Sequence, residues 1–159
     1  NHTQRWLTSR WKNRLSSARK PTDVFSGKNT ATMIGGLVGP ISVYLSCDGE
    51  HQNKLAVIFK VKDGVAEGIN GEIVLKADDG EVSRFQSKSY DHNDKYGGFA
   101  AELTPDEAKK LIAGIKVAKK RVIIGLQVPG VDMKISHTLN VSGSKKASET
   151  YAKACDVGA

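Results

Sequence analysis

The chain has 159 residues, 39% hydrophobic and 26% charged, with a formal net charge of +7. Its length fits one domain with a substantial core, and no apolar run approaches the roughly 18 residues that span a bilayer. Six of the positive charges, Arg5, Arg10, Lys12, Arg14, Arg19 and Lys20, fall within residues 1–20, which contain no Asp or Glu. The remainder is close to neutral, so the pattern is a basic arm on a neutral body rather than a uniformly basic polyanion binder.

Residues 1–20 allow two readings. Leu7, Trp11, Leu15 and Ala18 recur at helical spacing between basic residues, as in a basic amphipathic helix. Alternatively Trp6 to Trp11 is an edge strand followed by loop. As an arm, Arg5, Trp6, Arg10, Trp11, Lys12, Arg14, Arg19 and Lys20 would bind an anionic partner, the rings entering a membrane interface or stacking on bases. The segment would then be dispensable for folding. The chain opens Asn-His-Thr-Gln, with no Met and no apolar stretch. That is compatible with a mature exported protein and equally with a trimmed chain.

Residues 24–40 are rich in glycine around a short strand expected at Ala31 to Ile34. Gly35-Gly36 lacks the spacing and the Gly-Lys-Ser/Thr ending of a phosphate-binding loop, so these are plain loop glycines. The next stretch is the centre of the chain. Ile41, Val43, Leu45 and Cys47 alternate with Ser42, Tyr44 and Ser46, and Leu55, Val57, Phe59 and Val61 share a face. This predicts an antiparallel hairpin with one apolar face, joined by a loop from Asp48 to Lys54.

Asp63-Gly64 and Asn70-Gly71 read as turns. A strand follows over Glu72 to Ala77, then a turn at Asp78-Asp79-Gly80 and a strand from Glu81 to Ser87. Ser89 to Gly98 reads as a polar loop, and Phe99, Ala101 and Leu103 alternate in a further strand. Thr104-Pro-Asp-Glu107 has the form of a capping box with proline at the first helical position. Ala108, Leu111, Ile112, Ile115 and Ala118 then share a face, predicting a helix over about 104–119, with Lys116, Lys119, Lys120 and Arg121 suited to its negative end. Val122 to Val128 is a strand turned by Pro129-Gly130. Val131, Met133, Ile135, His137, Leu139 and Val141 alternate as a long strand with one face buried. A last helix is expected over about 144–154, capped by Ser144. The expected inward set is Val43, Leu45, Val57, Phe59, Leu111, Ile115, Ile124, Ile135 and Leu139.

Few residues offer chemistry. His137 could be a ligand or general base, but it has no nucleophile motif nearby and no second His at metal spacing; a structural histidine is the plainer reading. Asp91-His92-Asn93-Asp94 matches neither a calcium loop nor a zinc ligand set and reads as a loop tip. Asp78-Asp79 is explained by the turn. Cys47 and Cys155 are either a reactive thiol and a bystander or a structural disulfide tying the last helix to the central hairpin. No catalytic, cofactor or metal residues are assigned.

The order of pieces carries a resemblance. A Trp segment precedes Ser42-Val-Tyr-Leu-Ser-Cys47-Asp and an apolar strand. Then come Gly98-Phe-Ala-Ala-Glu-Leu103 and Leu111-Ile-Ala-Gly-Ile-Lys-Val-Ala-Lys119. A strand pair, Leu139-Asn-Val-Ser-Gly143, Ala147 and Ala154-Cys155 close the chain. Over about residues 41–156 this resembles the exported bacterial proteins of the invasion-associated locus B type and the related type VI secretion-associated accessory proteins. The resemblance implies a mainly β, sandwich-like exported domain with two short helices. It implies a Cys47–Cys155 disulfide and no catalytic residues, and it favours the edge-strand reading of residues 1–20 ahead of a single domain over 21–159.

The expectation is thus a periplasmic or secreted binding protein that is not an enzyme and does not span the membrane. Its partner would be an envelope or host macromolecule or an anionic surface. The alternatives are a hydrolase inhibitor using the loop Asp48 to Asn53, an enzyme pairing His137 or His92 with Asp91 or Asp94, and a polyanion or nucleic-acid binder using the basic arm.

Overall fold

The computed structural model describes residues 6–9, 30–36, 40–48, 52–62, 65–93 and 95–158. Strand β1 is Leu7–Ser9, β2 Ala31–Gly35, β3 Ile41–Cys47, β4 Asn53–Lys60, β5 Asn70–Ala77, β6 Val82–Asn93 and β7 Tyr96–Leu103. Helix α1, Pro105–Val117, follows, then β8, Val122–Val128, a 3-10 turn at Pro129–Val131, β9, Met133–Leu139, and helix α2, Ser144–Ala154. All strand pairs are antiparallel, and the order is β1-β2-β3-β4-β7-β6-β5-β8-β9. The mainly β expectation is met: one continuous sheet curls into a half-barrel with two short helices.

The central hairpin forms as its alternation requires. Ile41 pairs with Phe59, Val43 with Val57 and Leu45 with Leu55, so these three residues of β3 each lie beside an apolar residue of β4 on the same face. That inner face continues through Phe99, Ala101 and Leu103 of β7, Ile73 and Leu75 of β5, and Ile124 and Leu126 of β8, all buried. The helices cover it. Ala108, Leu111, Ile112 and Ile115 form the inward stripe of α1, and Ala147, Ser148, Tyr151 and Ala154 that of α2. The Tyr151 hydroxyl donates to Asn53 Oδ1 at 2.5 Å, fixing α2 to the first residue of β4. Of the expected inward set, only Ile135 stays half-buried. It sits on β9, an edge of the sheet, where cover comes from one side only.

Cys47 and Cys155 form a disulfide across 108 residues, with Cα atoms 5.9 Å apart. It ties the end of α2 to the end of β3, as the resemblance implies.

Trp6 corrects the view of the first residues as a dispensable arm. It is 2% exposed. Its backbone N–H donates to the Ser142 carbonyl at 2.9 Å and its indole Nε1–H to the Asn140 carbonyl at 3.1 Å. The two ends of the sheet are joined there, since β1 is one edge strand and residues 140–142 leave the other. Arg5, Arg10, Trp11, Lys12, Arg14, Arg19 and Lys20 lie outside the described residues.

Three local expectations change. Asn70-Gly71 is not a turn but the start of β5, and the chain turns earlier, at Glu67-Gly68. Gly71 is needed for contact: a Cβ there would stand 2.7 Å from Phe99 Cε2. Ser89 to Gly98 is not a loop, because β6 runs on to Asn93 and β7 begins at Tyr96, with a bulge between Asp91 and Asn93. The polar look of β6 comes from Ser87 and Ser89, which face inward yet are satisfied. The Ser87 hydroxyl donates to the Gly71 carbonyl at 2.9 Å, while that of Ser89 donates to Ala66 and accepts from the Ile69 N–H. Ser144 is the first residue of α2 rather than its cap; Gly143, in the left-handed region at φ 79°, holds the cap position.

Candidate functional site

The solvated face of an antiparallel sheet commonly carries the polar residues that alternate with the buried apolar ones of the other face. Here one part of it does not. Cross-strand register sets Tyr44 beside Ala56, Ala56 beside Ala100 and Ala100 beside Lys88. In the neighbouring row Ile58 pairs with Gly98 and Gly98 with Tyr90. In the row on the other side Ser46 pairs with Lys54 and Lys54 with Glu102. Small residues therefore occupy the middle strands while tyrosines stand on the flanking ones. The result is a groove of about 630 Å³ with Tyr44 on one side, Tyr90 on the other, and Ala56, Ile58 and Ala100 as its floor.

Glycine 98 makes this possible. A Cβ at that position would collide with Cζ, Cε1 and Oη of Tyr90, so the hydroxyl end of that ring lies against the glycine backbone. Ala56 and Ile58 are 8% exposed although they face outward. Tyr44 and Tyr90 keep part of their surface open to solvent. Burial raises the hydroxyl pKa of both; the nearby Tyr96 adds to the effect at Tyr44, and Tyr44 adds to it at Tyr90. Both phenols therefore stay neutral at ordinary pH, able to donate and to accept. Lys54, Lys88 and Glu102 are exposed at the rim, and none belongs to any of the ion pairs among the described residues.

A smaller depression of about 320 Å³ lies on the same face at Gly125, between Val74 and Ser136, beside the Arg84–Glu72 pair at 2.8 Å. A third opening of about 870 Å³ separates the end of α1 from the start of α2. Lys116, Lys119, Lys145 and Lys146 surround it, with Glu149 pairing Lys116 at 3.8 Å.

Of the other sequence candidates, His137 and Asp91 do not converge. His137 is half-buried on β9, while Asp91 is on β6, and β5 and β8 run between those strands. Three strand spacings amount to roughly 14 Å. Asp94 is outside the described residues. Among the described residues no three His, Cys, Asp or Glu side chains gather as a metal site would require, and no helix is long and apolar enough to cross a membrane. The loop considered for hydrolase inhibition is described only at its ends, where Asp48 N–H donates to the Gln52 carbonyl at 3.2 Å and Gln52 N–H to Asp48 Oδ1 at 3.0 Å.

Sequence reasoning did not find the groove. Tyr44 is legible as an outward residue of β3, but the sequence pattern places Tyr90 in a polar loop and Lys54 at the end of the hairpin connection. The available signal was the continued alternation of Phe85, Ser87 and Ser89 against Gln86, Lys88 and Tyr90. No family model, curated protein or solved structure matches this chain.

Proposed function

We propose that this is an exported, non-enzymatic binding protein of the invasion-associated type, working in the periplasm or outside the cell, and that it holds its partner in the Tyr44–Tyr90 groove. The groove is the observation that carries the reading. It combines two neutral, half-open tyrosine rings with an apolar floor and unpaired charges at the rim, which is the chemistry of holding a partially polar ligand. The disulfide supports export, since such bonds persist in oxidising compartments. The resemblance supports the non-enzymatic role and an envelope or host macromolecule as partner.

The test is capture from envelope and culture-supernatant fractions with a photo-crosslinking residue in place of Lys60, an exposed residue two positions past Ile58 on the same face of β4 and outside the groove lining. A discrete crosslinked partner, lost when Tyr44→Ala is added, is the expected result. Equal capture with and without Tyr44 would move the binding surface elsewhere, and no capture from either fraction would remove the proposal.

A further inference from the structure

We infer that the Tyr44–Tyr90 groove takes an acidic oligosaccharide, a chain of sugar rings bearing carboxylate or sulfate groups. This rests on the binding role proposed above and names the ligand class. Three features of the groove point to sugar. The first is its apolar floor of Ala56, Ile58 and Ala100 with the aromatic side chains of Tyr44 and Tyr90 beside it, a combination that suits the C–H surfaces of a pyranose. The second is the set of neutral hydroxyls, from Tyr44, Tyr90, Thr32 and Ser46, that line it or close it. These can meet ring hydroxyls as donors or acceptors. The third is Glu102, a carboxylate at the rim that can accept from sugar hydroxyls.

The charge pattern supplies the acidic part. Lys54 and Lys88 stand on the two sides of β7, with Glu102 and Ala100 of that strand between them. The rim therefore holds two positive charges against one negative. An acidic group would lie beside Lys88, and hydroxyls of an adjoining ring beside Glu102, the next residue after Ala100 along the same face of β7. A protein segment would find few deep apolar anchors in so shallow a groove.

Isothermal titration at low salt separates these possibilities, using tetragalacturonate, a heparin tetrasaccharide, maltotetraose and N-acetyl-tetraglutamate amide as probes. Tetragalacturonate or the heparin fragment should bind at least tenfold more tightly than maltotetraose and than the acidic peptide; which of the two does so distinguishes carboxylate from sulfate. The Lys54→Ala/Lys88→Ala double variant should lose about tenfold toward the acidic sugar and little toward maltotetraose. Tyr44→Ala should weaken both sugars, and Glu102→Gln should not strengthen acidic-sugar binding beyond twofold. Unchanged melting temperatures establish that the exposed lysine variants fold. Equal binding of the acidic peptide would reduce the groove to a charge patch and overturn the inference, as would unchanged affinity in the lysine and Tyr44 variants. If neither acidic sugar binds while the photo-crosslinked protein still captures a partner, the ligand class is wrong and the binding role stands. If both experiments fail, both readings fall.

Discussion

Trp6 shows how far one residue can carry structure. Its ring is in the core and both of its N–H groups are paired with carbonyls of residues 140 and 142. It closes the gap between the two edges of a nine-stranded sheet, so its loss removes apolar burial and a join between chain ends together. Trp6→Ala should lower the free energy of unfolding by about 3–5 kcal/mol, as for other large aromatic truncations in cores. Urea unfolding followed by circular dichroism measures it; a change below about 1 kcal/mol would mean that the ring is not held as described. Tyr151 works in a similar way at the opposite end of the core, where burial raises its hydroxyl pKa and its proton is committed to Asn53.

Between elements, Asp78 is the main fastening. It follows β5 in the left-handed region at φ 51°. Its carboxylate accepts the backbone N–H groups of Lys119 at 2.9 Å, Lys120 at 2.7 Å and Arg121 at 3.1 Å. Asp79 adds Lys120 and Arg121 side chains at 3.2 Å each. The β5–β6 turn thus holds the connection from α1 to β8, just past Ala118, whose N–H closes the helix on the Ile115 carbonyl. Hydrogen bonds from Lys119, Lys120 and Arg121, in that order, lower the Asp78 pKa below its ordinary 3.8. Because the folded value is the lower one, its contribution to stability is present above the unfolded value and is lost as pH falls through the folded one. Asp78→Ala should therefore melt below the parent at pH 7, and the gap should narrow as pH drops below about 3.8. Thermal melts of both proteins at pH 7 and at pH 2 to 3 check this; a gap independent of pH would show that the charge plays no part.

At the scale of the whole molecule, the disulfide joins the last helix to the central hairpin and closes a loop of 108 residues. In the chain-entropy account such a link is worth about 4–5 kcal/mol, acting through the unfolded state. Reduction, or a Cys47→Ser/Cys155→Ser pair, should lower unfolding stability by about that amount while the sheet still forms, because the inner face of β3 and β4 is apolar without it. Denaturant titrations with and without reductant measure the difference. Two thiols titrated in the denatured, non-reduced protein would contradict the bond and with it the support for export.

Period and local chemistry were enough, in the sequence alone, to determine the β3–β4 hairpin, the strands β5 and β8, the capping box of α1 at Thr104 and Glu107, and the apolar stripe of that helix. Those signals are local: side chains alternate or repeat because one face of each element is buried, and the cap satisfies neighbouring N–H groups. Tertiary structure decided the rest. Gly71 looks like a turn residue until the Phe99 ring is placed against it, and the buried serines of β6 look like loop until their distant partners are known. Trp6 looks like part of a basic arm until the sheet curls and brings residues 140–142 to it. The groove belongs to this second kind. Tyr44 and Tyr90 are far apart in the chain, and only strand order β3-β4-β7-β6 sets small residues between them. A binding surface assembled from neighbouring strands has no short motif, because the register that creates it is set by the burial of the opposite face.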